Sequence, residues 1–340
     1  MTSATAYNAR VWPEIFTLEL FGFSLPLRSF GLLVAIGFLV ALSLAQKLAV
    51  RYGADPKRDP ERFADVGWWI LIGVIAGGRC AFVLVNFDHY GAHPLDILKV
   101  WEGGLVMYGG LIGAMSLGIW KAKRVGLEPW RACDYGLTAG FLGQAIGRLG
   151  CLAVGDDYGK LSDLPWAITF PNPLPAGSAF APELAGMSVH PTQPYMTLKA
   201  LSLFFIGLWL LRNKKFHGQV TASLFALYGL FRGFVEFFRG DDFARGGIFK
   251  DGFAPDDITA HLQSLGLADP YGRISDIPRY QEMLREGAEK LRPELLVSTS
   301  QMVGMVSIVL GSALYLYLRS RKDLRIAPAP APMSQNGAKA

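Results

Sequence analysis

Seven stretches of this chain are almost continuously apolar, and its charged residues collect between them instead of alternating with them. A helix needs about 20 apolar residues to cross the hydrocarbon core of a bilayer. Residues 30–49, 67–85, 104–120, 132–154, 196–211, 219–238 and 300–318 have that length or nearly so. The pattern predicts an all-α, polytopic membrane protein of about seven transmembrane helices. Its expected units are an outward N-terminal segment (1–29), a core of helices one to six (30–242), a polar extracytoplasmic insertion (243–295), a seventh helix (296–320) and a tail (321–340). The insertion is too long for an ordinary loop and reads as a lid or docking surface, with one amphipathic helix near residues 278–290. The tail, rich in proline and alanine, has little to bury and is expected to be disordered.

Basic residues recur in alternate connections. Lys47, Arg51, Lys57, Arg58 and Arg62 follow the first helix, Lys121, Lys123, Arg124 and Arg131 the third, Arg212, Lys214 and Lys215 the fifth, and Arg319, Arg321, Lys322 and Arg325 the last. The connection between the second and third helices holds only Lys99, and the stretch 155–195 only Lys160. Basic loops stay cytoplasmic, which predicts the N-terminus outside and the C-terminus inside. The net charge of +5 then follows from topology and contact with anionic lipid, so no nucleic-acid partner is implied. The opening residues lack the layout of a cleaved signal peptide. Cys80, Cys133 and Cys151 fall in apolar runs and read as packing residues, not as a disulfide framework. No side-chain cluster has metal-ligand spacing and no phosphate-cradling glycine loop is present, so no metal and no cofactor are expected.

Against this apolar background stand Arg148 in GQAIGRLGC, and Arg232 with Glu236 in LYGLFRGFVEFFRG. Ionisable residues at bilayer depth are costly, by about 2.5–3.5 kcal/mol each on insertion scales, and normally face a protein interior or a wet cavity. Tyr228, Arg232 and Glu236 recur at four-residue steps and share one helix face. That face is either structural glue or an acid–base and phosphate-binding surface. Arg148 precedes Asp156 and Asp157. It either neutralises an aspartate at the interface or grips a phosphodiester with its planar fork. Tyr108 is flanked by Gly104, Gly109, Gly110 and Gly113. Small residues at such spacings let helices approach closely, while the phenol suits a headgroup contact or an interfacial anchor. His190 opens HPTQPY at the entrance to the fifth helix.

Taken together, YGGLIGA, GRLGC followed by an acidic residue, HPTQPY, LYGLFRGFVEFFRG and STSQMVGMVSIVLG occur in an order and helical context that resembles the prolipoprotein diacylglyceryl transferase family of bacterial inner membranes. The resemblance covers residues 30–318 apart from the insertion. It implies transfer of the diacylglyceryl group of phosphatidylglycerol to the lipobox cysteine thiol of a prolipoprotein signal peptide, with release of glycerol phosphate. It also implies catalytic roles for Arg148, Arg232, Glu236 and Tyr108. Substrate contacts are implied for Arg148, Gly104, Gly109, Gly110, Asp156, His190, Tyr228 and Arg239, near the outer half of the bilayer. The chain departs from the family pattern at Tyr108, where many members have histidine, and at Phe30, Cys151, Asp156 and Met196, where tyrosine, asparagine, glutamate and glutamate are common. Two other classes fit buried charges: a transporter, and a non-catalytic lipid-binding relative.

Overall fold

Close helix pairs set at glycines form the frame of the molecule. The computed structural model describes residues 7–8, 11–20, 23–99, 103–241, 243 and 245–326. A short strand β1 (Tyr7–Asn8) and an antiparallel hairpin of β2 (Glu14–Leu20) and β3 (Phe23–Arg28) lead into α1 (Ser29–Tyr52). There follow α2 (Asp59–Val85), α3 (Phe87–Ala92), α4 (Met107–Val125) and α5 (Pro129–Val154). An irregular segment then carries β4 (Ile168–Thr169) and β5 (Ser188–Val189), with β4 paired between β1 and β5. Next come α6 (Thr192–Asn213), α7 (Gln219–Glu236), β6 (Gly247–Phe249), α8 (Pro255–Ser264), α9 (Ile277–Arg285), β7 (Leu295–Ser298) and α10 (Thr299–Ser320).

Five of these helices, α1, α2, α5, α6 and α10, are long and apolar enough to cross a membrane. That is fewer than the seven expected. By the same measure α4 falls short because it carries Lys121, Lys123 and Arg124, and α7 because its polar residues include Gln219, Arg232 and Glu236. Both nevertheless run beside long apolar partners. Large apolar side chains such as Leu84, Ile112, Phe205, Trp209 and Val309 point outward, as expected for helices solvated by lipid tails.

Lipid is as apolar as leucine, so helix pairing there depends on close packing. A Cβ on Gly37 of α1 would meet the Gly143 carbonyl of α5 at 2.6 Å, and one on Gly304 of α10 the Gly229 carbonyl of α7 at 2.8 Å. Gly109 and Gly113 of α4 likewise leave no room against Gly77 and Gly73 of α2. At the α5 start the fully buried Asp134 accepts from Lys214 Nζ (2.9 Å), the backbone of Gly218 (3.0 Å) and both the backbone and hydroxyl of Thr221 (2.9 Å each). One carboxylate thereby ties the turn between α6 and α7 to α5.

Several local expectations are corrected. The N-terminal segment contains the β2–β3 hairpin, whose alternating residues the membrane-span pattern masked. The insertion holds two helices, not one, and a core of its own formed by Ile258, Leu262, Leu267, Tyr280 and Leu291. Residues 321–326 are ordered: a 3-10 turn at Lys322–Leu324 lies on the turn between α6 and α7 through an Ile326 N to Lys215 O bond of 3.0 Å. The rest of the tail, 327–340, lies outside the described residues. Only Cys151 is packed, since Cys80 and Cys133 are exposed on helix surfaces.

Candidate active site

The C-terminal ends of α5 and α7 and the N-terminal ends of α6 and α10 converge on a group of buried charges. Its geometry begins with the turn after α5. Gly155 ends that helix in the left-handed conformation (φ 81°), and Asp157 is likewise left-handed (φ 55°). The turn is strapped to the end of α7 by backbone bonds from Lys160 N to Phe238 O (2.9 Å) and from Gly240 N to Tyr158 O (3.0 Å). HPTQPY holds it from the other side: Thr192 Oγ1 donates to Asp157 O at 2.5 Å and Gln193 Nε2 to Asp156 O at 2.7 Å. These two side chains fix the acidic turn, while the His190 ring packs on Tyr195 and Phe238. A Cβ at Gly240 would strike the backbone of Lys160 at 2.6 Å, so the strap requires glycine there.

Ion pairs run through the cluster without a break. Arg148 Nη1 pairs with Asp157 Oδ2, and Asp157 Oδ1 with Arg239 Nη2 at 2.5 Å. Arg239 also grips Asp241, with Nε to Oδ1 at 2.9 Å. Its Nη1 lies 4.0 Å from Glu236. Glu236 in turn meets Arg232 Nη2 at 3.1 Å and Arg245 Nη1 at 2.9 Å. Arg232 Nη2 also donates to Ser300 Oγ of α10 at 2.9 Å. Glu236, Arg239 and Asp241 are 3%, 6% and 8% exposed, so these charges are withdrawn from water and depend on one another.

Neighbouring carboxyls are driven apart. Burial raises the Asp157 carboxyl, but the Arg239 and Arg148 guanidiniums outweigh it and hold it below the ordinary carboxylate value. The Asp156 carboxyl is pushed up, by partial desolvation first and by the Asp157 charge next. Burial also works against the charge on Arg239, yet Asp241, Asp157 and Glu236 together raise it. A pair of titratable groups displaced in opposite directions is the arrangement that separates a charge-holding role from a proton-accepting one.

Both principal arginines keep unsatisfied donors. Arg232 Nη1 faces only the sulfur of Met196 at 3.8 Å. Arg148 reaches Cys151 Sγ at 3.8 Å through Nη1, and its Nε and Nη2 make no hydrogen bond among the described residues. Sulfur is a weak acceptor, so Met196 leaves the Arg232 Nη1 edge open to an anion, as Nε and Nη2 are open on Arg148. Arg148, Asp156 and Asp157 line a cavity of about 480 Å³ walled by α1 and α5 through Phe30, Val34, Gly143 and Gln144.

Of the residues expected to act, Arg148, Asp156, Arg232, Glu236 and Arg239 are brought together, with Tyr228 and His190 at the margin. Tyr108, Gly104, Gly109 and Gly110 belong elsewhere, on the α2–α4 pair. Tyr108 is 52% exposed at the start of α4, and among the described residues no hydrogen bond, ion pair or ring contact joins it to the cluster. Gly103 and Gly104 adopt positive φ, and their carbonyls accept from the buried Arg79 at 2.7 and 3.3 Å. That arginine also holds the carbonyls of Asp96 and Ile97, at 2.5 and 2.9 Å, and so ties the loop before α4 to α2.

The sequence reading passed over Lys199, Asp241, Arg245 and Ser300. Lys199 is 5% exposed and its ammonium has no hydrogen-bond partner among the described residues. It sits 4.3 Å from the Tyr228 ring centroid, where a cation is attracted to the π face. It also lines an apolar groove of about 490 Å³ between α6 and α7, beside Trp166, Leu198 and Phe234. A lone lysine inside the apolar run 196–211 was the available signal.

Comparison with known proteins bears directly on this site. The family model described as prolipoprotein diacylglyceryl transferase matches residues 17–261. The phosphatidylglycerol–prolipoprotein diacylglyceryl transferase of Pseudomonas aeruginosa strain UCBPP-PA14 is 37% identical over 236 residues, 68% of this chain and 83% of the relative. Proteins of the same name from Vibrio vulnificus strain YJ016 and Geobacter sulfurreducens are each 36% identical, over 226 and 220 residues. These cover 65% and 64% of this chain, and 78% and 80% of the relatives. Arg148, Asp157, Arg232, Glu236 and Arg239 all lie inside the matched region, and on that match this chain belongs to the prolipoprotein diacylglyceryl transferase family.

Proposed function

We propose that the chain is a multi-pass membrane transferase that moves the diacylglyceryl group of phosphatidylglycerol onto the lipobox cysteine thiol of a prolipoprotein. The observation carrying this reading is the continuous chain of buried guanidiniums and carboxylates from Arg148 to Arg232, ending on a cavity beside lipid-facing helices. The reaction is a substitution at a glyceryl sp3 carbon. The substrate thiol loses its proton, the sulfur forms a bond to that carbon, and the carbon–oxygen bond to phosphate breaks. Its electron pair leaves on glycerol phosphate. The free donors of Arg148 and Arg232 are the groups to hold the phosphodiester and to meet the charge that develops on its leaving oxygen. Glu236, held between Arg232 and Arg245, positions the Arg232 fork.

Asp156 is the group we assign to accept the thiol proton. It lines the cavity, and its carboxyl is displaced upward while Glu236 and Asp157 are occupied by guanidiniums. Asp156→Asn is expected to slow transfer by about 10²-fold with donor affinity retained. In the wild type, transfer falls as pH drops through the raised Asp156 value, and this acid limb should vanish in the variant. A limb that persists there would reassign the base. Tyr108→Phe is expected to transfer at the wild-type rate, because the phenol stands apart from the cluster; a tenfold loss would return it to the mechanism.

Seven spans, with α4 and α7 completing the five apolar ones, complete the proposed topology, the N-terminus outside and the C-terminus inside the bacterial inner membrane. The basic turns at Lys121–Arg131 and Arg212–Lys215 then face the cytoplasm, and the cluster faces out, where an exported peptide arrives. The domain division follows, with 243–295 as an extracytoplasmic unit. It touches the site through Arg292 Nη2, which donates to Gly240 O at 2.6 Å. The deciding experiment supplies labelled phosphatidylglycerol and a lipobox peptide to the purified protein. Thioether product and glycerol phosphate in equal amounts are expected. Lipid binding without either product would make the chain a non-catalytic relative.

A further inference from the structure

A second polar cavity lies at the other ends of the same helices. α6 ends at Asn213, α7 begins at Gln219 and α10 ends at Ser320. At 1.5 Å per residue, helices of this length put about 30 Å between this end and the Arg232 end. The cavity measures about 750 Å³, and its lining includes Lys215, Phe216, Gln219, Tyr315, Arg319 and Arg325. It is assembled by the strap noted above, in which His217 N donates to Leu324 O at 2.9 Å and Phe216 bridges to Arg325. Phe216 meets the edge of Tyr315 with ring centroids 5.3 Å apart.

The charge balance of this cavity is one-sided. Lys214 is engaged by Asp134, and Arg321 by Asp323. Lys215, Arg319 and Arg325 make no side-chain hydrogen bond or ion pair among the described residues, and no carboxylate lines the cavity. The residues after Ile326 carry no acidic side chain either. Three like charges from three segments therefore converge on one space with no counter-ion among the described residues. Guanidiniums favour phosphate oxygens, and basic pockets at helix ends on the cytoplasmic side suit anionic lipid headgroups. Apolar neighbours also suit a lipid over a free ion: Ile326 lines the cavity and is 39% exposed, and Leu316 of α10, three residues before Arg319, is 64% exposed.

We propose that this cavity binds the phosphodiester headgroup of an anionic phospholipid, at a site separate from the outer cluster and independent of the transfer reading. The test is native mass spectrometry of the full-length protein in mild detergent, titrated with cardiolipin or phosphatidylcholine, comparing wild type with Lys215→Gln/Arg319→Gln/Arg325→Gln. The wild type should retain one more cardiolipin than the triple variant, with affinity at least about tenfold higher, and should show no such difference for phosphatidylcholine. Arg148→Ala should keep this lipid, and the triple variant should keep diacylglyceryl transfer. The charge-conserving Lys215→Arg/Arg319→Lys/Arg325→Lys should also keep it, which separates charge from folding. Equal cardiolipin counts in wild type and triple variant overturn the proposal. So does displacement of the lipid by millimolar inorganic phosphate, which would make the site one for free phosphate.

Discussion

Arg148→Ala is expected to lower diacylglyceryl transfer by about 10²–10³-fold, the range seen when one preorganised donor to a developing oxyanion is removed. The folded protein should survive the change. Asp157 keeps its 2.5 Å pair with Arg239, and the turn that carries it remains held by Thr192, Gln193 and the strap to α7. What disappears is the guanidinium edge that lines the α1–α5 cavity with two nitrogens free for a ligand. Arg148→Lys should rescue little, because an ammonium replaces the planar fork by a point charge. The measurement is kcat/KM for labelled phosphatidylglycerol with a lipobox peptide, beside the thermal midpoint in detergent. Near wild-type transfer at an unchanged midpoint would remove Arg148 from phosphate binding and leave it an interfacial partner of Asp157.

Glu236→Gln should have the larger effect on stability. This carboxylate is 3% exposed and is approached by Arg245 at 2.9 Å, Arg232 at 3.1 Å and Arg239 at 4.0 Å. Removing its charge leaves three guanidiniums facing one another in a site withdrawn from water, and breaking a buried pair in this way costs about 3–5 kcal/mol. A clear fall in the thermal midpoint is expected, together with loss of transfer as Arg232 loses the partner that aims it. Arg245→Met in the same background should recover part of the midpoint by removing one of the opposed cations, and should not restore transfer. An unchanged midpoint in Glu236→Gln would mean that the cluster is hydrated enough to screen its own repulsion.

The two substitutions act on different links. Arg148 contributes an open donor, so its loss is read in turnover; Glu236 contributes order among donors, so its loss is read in stability first. Charges that are costly at bilayer depth are retained here in an arrangement that leaves Arg232 Nη1 facing nothing better than the Met196 sulfur and Arg148 with Nε and Nη2 unpaired among the described residues. An anionic substrate is the partner that this arrangement lacks.

Arg148, Arg232 and Glu236 were legible in the sequence because each interrupts an apolar run, and Tyr228, Arg232 and Glu236 because helical spacing puts them on one face. The glycine packing was legible for the same local reason, and Gly109 and Gly113 do sit against α2. Asp241, Arg245 and Ser300 were not legible. They lie in polar sequence, where a charged or hydroxyl residue carries no signal, and Ser300 meets Arg232 across a separation of 68 residues. Tyr108 shows the reverse case. Its glycine-rich surroundings drew attention to it, while the chain path places it on a helix pair away from the charges.

By itself the sequence determined the membrane class, most of the long helices, the sign of the charge at their ends and the family. All of these depend on local composition and on the cost of placing charge in hydrocarbon. Only the tertiary structure decided which charges meet, that Asp157 links Arg148 to Arg239, and that Lys199 is buried on the Tyr228 ring with no hydrogen-bond partner among the described residues. The physical reason is that lipid-facing and protein-facing sides of these helices are both apolar, so hydrophobic periodicity does not report which side has a neighbour. Neighbours are chosen by glycine contacts and by backbone straps between distant segments, and these exist only once the chain has packed.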